Sequence, residues 1–227
     1  LSNGRGWTEW PVLNGEGART FELSNAAERA AYFASAANTE AFFSFMGGMI
    51  NRRASWDRVG FPEAFDRSCW AHAARLFQLM PKGLKLRFVP ECWQDRRPDN
   101  DSFMGGGLVK RLALSIDGYN RIADTFFGHD SIEAFHVRRV VREEIGIGSL
   151  IMGKFVCALD PEIESRATLD RLAAKMYGDF SWKNLHARFL YATTSAEKIK
   201  RWDPEWAAKE EKKALMRRAQ RATQALR

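Results

Sequence analysis

The chain has 227 residues, of which 45% are hydrophobic and 28% charged, a composition that argues against a disordered or collagen-like protein and allows one large domain with a helical appendage. Its three cysteines, Cys69, Cys92 and Cys157, form no CxxC pair, which argues against a disulfide framework or a zinc cluster. The net charge of +7 is concentrated in residues 198–227, where ten Lys and Arg stand against four Asp and Glu, so an anionic partner is not excluded.

The sequence contains no apolar run of the about 18–20 residues that a membrane-spanning helix needs. The N-terminus has no signal-peptide pattern. It also lacks an initiator Met, so we expect a piece of a longer protein. A reducing, cytoplasmic location fits the cysteine usage, and the basic segment 198–227 predicts peripheral contact with the inner face of an anionic membrane.

The first 50 residues predict short strands, a helix and a buried strand. Residues 1–23 combine large apolar side chains with Asn and Gly turns, which is typical of short strands and loops. Ser24 and Asn25 then cap an alanine-rich helix that extends to about Ala37. Phe42–Ile50 is short, apolar and aromatic, and this pattern predicts a buried strand.

The next elements are a helix, a strand and a loop. Ser68–Met80 repeats apolar residues at spacings of three and four, which predicts a helix that ends at Pro81. Leu84–Val89 alternates apolar and basic residues, which predicts a strand, and Pro90–Ser102 is a polar loop. This order predicts an α/β portion.

From Phe103 onward the pattern is helical, and Asp130-Ser131 and Asp160-Pro161 are typical helix starts. The terminal helix has a thin apolar stripe formed by Leu215, Ala219, Ala222 and Leu226. We therefore expect an α/β domain at 1–128 and a helical region at 129–227. The predicted helices are 103–127, 131–145, 161–177, 180–192 and 204–226.

Small and polar residues between Phe42 and Phe103 indicate a binding site. Gly47 and Gly48 in the predicted strand would allow close approach of a ligand to the backbone. Asp66 and His72 flank the start of a predicted helix, where an acid or base can be held near the helix end.

The polar loop gathers Arg97, Asn100, Asp101 and Ser102, whose side chains suit an anionic or hydroxyl-rich ligand such as a sugar phosphate. We expect this loop, the Asp66–His72 segment and the glycine-containing strand to converge on a single cleft.

The order of these segments resembles the acceptor-side, C-terminal portion of a family-2 glycosyltransferase with the A-type fold, closest to the abequosyltransferase-like branch. The resemblance covers roughly residues 1–125. Four segments carry it: Gly47 to Trp56, Trp70-Ala71-His72, Arg97 to Phe103, and Asp117-Gly118-Tyr119.

The resemblance implies an α/β fold with a partial mixed sheet and flanking helices, followed by a mostly helical region. It implies a bacterial enzyme of polysaccharide biosynthesis that moves a sugar, with inversion, from a nucleotide-sugar to a saccharide or lipid-linked acceptor. Asp66 would be the catalytic base, and Mg or Mn would offset the charge of the leaving diphosphate. The substrate-binding residues would be His72, Arg97, Asn100, Asp101, Ser102, Gly47 and Gly48, with His72 also a candidate metal ligand.

Three features depart from the family pattern. The family base sits in a Glu-Asp pair, whereas here Phe65 precedes Asp66. The offset from Asp66 to Arg75 is also longer than in the family. The family also has an Asp-x-Asp metal motif in an earlier nucleotide-binding half, which the first 40 residues are too short to supply, and we expect no such motif anywhere in this chain. We therefore expect that the nucleotide-binding half is missing, which leaves open whether this chain alone is active.

Simpler roles stay open for each candidate. Asp66 could cap a helix, His72 could be a packed core residue, and the loop arginines could pair with neighbouring aspartates on the surface. The glycines at 105–107 fit a helix entry or a phosphate cradle. The alternative function is a non-catalytic binding module whose basic terminal helix contacts a membrane surface or nucleic acid, without sequence-specific nucleic-acid recognition.

Overall fold

The structure, a computed structural model, describes residues 11–15, 17–91 and 106–225. The described residues are mostly helical and contain a two-stranded sheet, so a mixed α/β composition is confirmed, while the glycosyltransferase A-type sheet stays a prediction. The backbone forms two compact units, one of residues 1–100 and 116–144, the other of residues 101–115 and 145–227. Whether 1–128 and 129–227 are separate domains stays a prediction. Among the described residues, no helix is long and apolar enough to cross a membrane.

The sheet of the first unit pairs two short strands that lie far apart in the sequence. Strand β1 (Arg19–Glu22) runs antiparallel to β2 (Lys85–Phe88), and both fall where the sequence predicts strands. Helix α1 (Ala26–Ser35) follows β1, and the side chain of Asn25 caps it by accepting hydrogen bonds from two backbone N–H groups of its first turn. This cap satisfies donors that have no partner within the helix.

The predicted strand at Phe42–Ile50 is wrong. Two 3-10 turns, Thr39–Phe42 and Met46–Gly48, occupy this stretch. Phe43 between them has a φ of 64°, a left-handed conformation that no strand contains. Phe42 and Phe43 are buried in the core, whereas Met46 and Ile50 are exposed, so the hydrophobicity of this run reflects neither a strand nor uniform burial.

An aromatic cluster forms the core of the first unit. The ring of Phe33 lies 5.6–5.7 Å from those of Phe42, Phe77 and Phe127. These rings come from α1, the first 3-10 turn, α3 (Ala71–Leu79) and α4 (Leu108–Phe127). Phe33 is stacked on Phe42 and packs edge-to-face on Phe77 and Phe127, and such pairs stabilise a core beyond the area that they bury. The short helix α2 (Arg53–Trp56) precedes α3, whose position confirms the helix predicted at Ser68–Met80.

Helix α5 (Ile132–Leu159) consists of two helical parts separated by a break at Gly146, where φ is 61° and ψ is 164°. The first part ends where the sequence predicts a helix end, at residue 145, and the second part, which extends to Leu159, was not predicted. The Ser131 hydroxyl accepts a hydrogen bond from the Ala134 N–H at 3.1 Å, as expected for a helix start at this serine. The second unit contains four further helices: α6 (Arg166–Tyr177), α7 (Trp182–Thr193), α8 (Ala196–Trp202) and α9 (Pro204–Ala225).

Two predictions for the second unit are wrong. Asp160-Pro161 does not begin a helix, because α6 starts at Arg166 after a Ser165 cap. The apolar stripe of the terminal helix is also misplaced, because Leu215 is 64% exposed while Ala214 is buried. Buried alanines and the aliphatic parts of arginine side chains form the inward face of α9. A search for large apolar residues does not detect this pattern.

Candidate functional site

Asp66 is an exposed carboxylate just ahead of α3. It follows the 3-10 turn Glu63–Phe65, its side chain is 78% exposed, and its Oδ2 lies 3.8 Å from Nε of Arg67. Asp66 does not cap α3, since the Ser68 hydroxyl accepts the N–H of Trp70 at that helix start. An exposed carboxylate can reach a substrate hydroxyl, which a capping carboxylate could not do without releasing its backbone partners.

His72 in the first turn of α3 fixes the backbone ahead of the glycine turn. Its Nε2 lies 2.9 Å from the carbonyl oxygen of Phe43, and the imidazole donates to this acceptor. Burial lowers the pKa of His72, although the carbonyl of Phe43 opposes this effect. His72 is therefore a neutral positioning group at pH 7, which agrees with the simpler interpretation of a packed histidine and does not exclude substrate contact.

Gly47 and Gly48 lie in the exposed 3-10 turn Met46–Gly48 and not in a strand. A side chain on Gly48 would come within 3.1 Å of the Phe45 ring. The turn therefore presents bare backbone to solvent, and the predicted close approach of a ligand would occur at this turn.

Arg75 belongs to this region, although the sequence indicated no role for it in the site. Its side chain is 9% exposed, and its guanidinium lies 4.5 Å from the ring centres of both Trp56 and Phe61. Nε donates to the carbonyl of Trp56 at 3.1 Å. This stacking holds the Trp of the basic turn against α3, one helical turn beyond His72. One sequence feature could have pointed to Arg75: it follows His72 by three residues on the same helix and so lies on the same face.

The Trp70-Ala71-His72 segment also contacts the Gly-Tyr step of α4. The Trp70 indole occupies the space that a Cβ on Gly118 would need, and its ring centre lies 4.4 Å from that of Tyr119. Three of the four segments that carry the resemblance therefore lie together in the first unit, since Trp70 packs against Gly118 and Tyr119, and Arg75 of α3 holds Trp56.

The fourth segment, with Arg97, Asn100, Asp101 and Ser102, falls in 92–105, outside the described residues, as does Cys92. Convergence of the site on a single cleft thus stays a prediction. The expectation that the chain has no Asp-x-Asp motif is wrong, because Asp99-Asn100-Asp101 has this spacing, although the triplet follows β2 in the sequence and does not lie in an earlier half. In the part of the chain that is described, no three His, Cys, Asp or Glu side chains are grouped as metal ligands, so the metal also stays a prediction.

Within the second unit, the start of α4 is occupied by a carboxylate of the protein itself. Glu164 accepts the backbone N–H groups of Leu108 and Val109, each at 2.9 Å. Gly107, with a φ of 92°, makes room for it, since a Cβ there would lie 2.6 Å from Glu164 Oε1. A side-chain anion therefore takes the place that a phosphate would occupy at this helix start.

The same acidic segment engages the basic C-terminal helix. Arg221 Nη2 lies 2.8 Å from Asp160 Oδ1 and 3.2 Å from Glu162 Oε2. Arg217 lies 3.3 Å from Asp160 and 3.8 Å from Glu164. Asp160 and Glu164 are each 1% exposed, so these arginines neutralise buried acids.

A hollow of about 200 Å³ also lies in the second unit. On its rim, the Tyr191 hydroxyl donates to Asp170 at 2.6 Å and Arg166 donates to the same oxygen at 2.9 Å. Burial would raise the pKa of Asp170, but these two hydrogen bonds outweigh it and lower the pKa. No sequence motif pointed to this hollow. It is lined by Ile147, Asp170, Ala173, Ala174, Tyr177, Arg188 and Tyr191.

Comparison with known proteins gives one distant relative. The chain is 21% identical over 108 residues to the abequosyltransferase RfbV of Salmonella typhimurium, a match that covers 47% of this chain and 32% of that protein. The chain therefore spans about a third of the length of the curated relative that it matches. No family model and no solved structure matches. The similarity indicates a glycosyltransferase relationship, while the branch stays a prediction.

Proposed function

We propose that the chain is part of a glycosyltransferase that moves a sugar from a nucleotide-sugar to a hydroxyl of a saccharide or lipid-linked acceptor. One observation carries the proposal: Trp70 contacts Gly118 and Arg75 of α3 holds Trp56, so sequence segments that resemble those of such enzymes lie together. The distant similarity to an abequosyltransferase supports the same class.

In this mechanism Asp66 takes the proton from the acceptor hydroxyl as that oxygen attacks the anomeric carbon. The bond from that carbon to the diphosphate oxygen breaks, the nucleoside diphosphate leaves, and the configuration inverts. The exposure of Asp66 leaves its carboxylate accessible to an acceptor. A bound divalent ion would stabilise the charge on the leaving diphosphate, and Asp99 and Asp101 have the carboxylates for it.

The other residues bind and orient substrate. Neutral His72 holds the backbone at Phe43, and so positions the exposed glycine turn beside which a sugar can lie. Arg97 would contact the diphosphate, and Asn100 and Ser102 would contact hydroxyl groups.

The binding-module alternative receives less support. It relies on a basic terminal helix, yet Arg217 and Arg221 of that helix bind Asp160 and its acidic neighbours. We therefore make glycosyl transfer the proposal.

The test uses the 227-residue chain and the longest protein that contains it, because the match spans only 32% of the relative. Release of nucleoside diphosphate is measured with uridine, guanosine, cytidine and thymidine diphosphate sugars. Asp66→Asn should lower turnover by about 100-fold or more. Glu63→Gln, which changes an exposed carboxylate of the preceding turn, is the matched control. Full turnover in Asp66→Asn would remove Asp66 from the mechanism, and no release with any donor would contradict the function.

A further inference from the structure

Helix α7 presents a row of large apolar side chains to solvent. Trp182 is 80% exposed, Leu185 46% and Phe189 62%, and Phe180 just before the helix is 91% exposed. Spacings of three and four residues place Trp182, Leu185 and Phe189 on one face of the helix. Four such side chains gathered in water indicate an interaction surface, whereas single exposed ones would not.

Cations lie on both sides of this apolar row. At about 100° per residue, Lys183 lies about 100° to one side of Trp182 and Arg188 about 120° to the other. Both side chains are exposed. The inward face of the helix buries Asn184 and Ala187. An aromatic row with Lys and Arg at its edges is the pattern of helices that lie in the plane of a membrane interface, where the cations contact lipid phosphates.

The charge of the second unit complements an anionic surface. Its sequence contains 18 Lys and Arg against 11 Asp and Glu, whereas the first unit contains 17 of each class. The whole net charge of +7 therefore belongs to the unit that includes α7. Long-range attraction would bring this unit, and not the other, towards anionic lipid headgroups.

We propose that Phe180, Trp182, Leu185 and Phe189 insert into the headgroup region of an anionic lipid bilayer, with Lys183 and Arg188 binding lipid phosphates. This surface replaces residues 198–227 as the expected membrane contact, and it does not depend on the proposed enzymatic activity. A convex row on a three-turn helix can insert into the headgroup region of a bilayer without a complementary pocket. A protein partner is disfavoured, because a stable protein interface needs about 800 Å² per partner and is depleted of lysine at its centre.

The test is co-sedimentation of the 227-residue chain with vesicles of phosphatidylcholine alone or mixed with phosphatidylglycerol. The chain should bind the mixed vesicles, and bind less at high salt. The double variant Trp182→Ser/Phe189→Ser should weaken this binding by about tenfold or more. Trp202→Ser, which removes a 64% exposed aromatic residue on α8, is the matched control and should bind normally.

A second pair of variants separates the two basic surfaces. Both double variants lower the net charge equally, but Lys183→Glu/Arg188→Glu also removes the cations beside the apolar row. It should therefore weaken binding more strongly than Lys209→Glu/Lys212→Glu, on the exposed face of α9. Circular dichroism and light scattering check folding and oligomeric state. Equal binding of the wild type and the Trp182/Phe189 variant would overturn the proposal. A second result would also overturn it: a wild-type chain that binds no vesicles but forms a dimer, which the Trp182→Ser/Phe189→Ser variant dissociates. A second copy of the chain, and not a bilayer, would then cover the apolar row.

Discussion

The Trp70 indole lies against Gly118 so closely that α4 can carry no side chain at that position. The glycine permits the helix backbone to approach the aromatic ring, and the ring of Tyr119 then packs 4.4 Å from that of Trp70. The sequence indicated the Gly118-Tyr119 step only through the family resemblance. Its role in the first unit is to pack against Trp70.

Gly118→Ala should destabilise the protein by about 1–3 kcal/mol, because the added methyl group must displace the indole from its place. Urea unfolding followed by circular dichroism measures this effect. Gly148→Ala is the control, since a Cβ at Gly148 meets nothing within 4 Å and alanine is the better helix former. Equal stability of wild type and Gly118→Ala would contradict the close packing.

Glu164→Ala should cost about 3 kcal/mol in free energy of unfolding. The variant leaves the N–H groups of Leu108 and Val109 without their acceptor and removes a buried partner of Arg217. Thermal unfolding compares it with Glu162→Ala, whose side chain is 76% exposed and should matter little. A similar small loss in both variants would show that the carboxylate does not hold α4.

The stability that His72 contributes should depend on pH. Because its pKa is lowered in the folded state, the unfolded chain binds a proton first as the pH falls below about 6.5. Folding is therefore penalised from about pH 6.5 downward, by at most about 1.4 kcal/mol per pH unit. Above that range the full contribution of the neutral side chain is present.

His72→Gln removes this titration, so the stability difference between wild type and variant should shrink as the pH falls from 7.5 to about 5. Urea unfolding at several pH values measures it. His136→Gln is a useful comparison, because burial also lowers the pKa of that more exposed histidine. A difference that grows towards acid pH would show that His72 is charged in the folded protein.

The sequence predicted the elements with regular periodicity. Helix α3 and strand β2 appear where the spacing of apolar residues places them, since local pattern and burial agree there. It failed at Phe42–Ile50 because an apolar run does not by itself distinguish a strand from 3-10 turns, and of its large side chains only Phe42 and Phe43 are buried. The left-handed Phe43 depends on the core around it and leaves no local sign.

The candidate site was predictable only in part. Asp66 and His72 were found because each lies near a predicted helix start. The role of Arg75 was not predicted because an arginine in a helical pattern ordinarily indicates an exposed face, whereas here two aromatic rings enclose it. Asp160, which binds Arg217 and Arg221, was predicted to begin a helix. Its ion pairs could not be predicted, because contacts between distant segments leave no periodic pattern in the sequence.

The carboxylate at the start of α4 also affects how the second unit opens. The first amides of a helix ordinarily exchange their hydrogens with solvent soonest, because the end turn frays. Here Leu108 donates to a residue 56 positions away, and that residue also faces Arg217 of α9. Unwinding the first turn of α4 must therefore disturb the contact that anchors α9. The start of α4 and helix α9 should open as one cooperative event rather than fray separately.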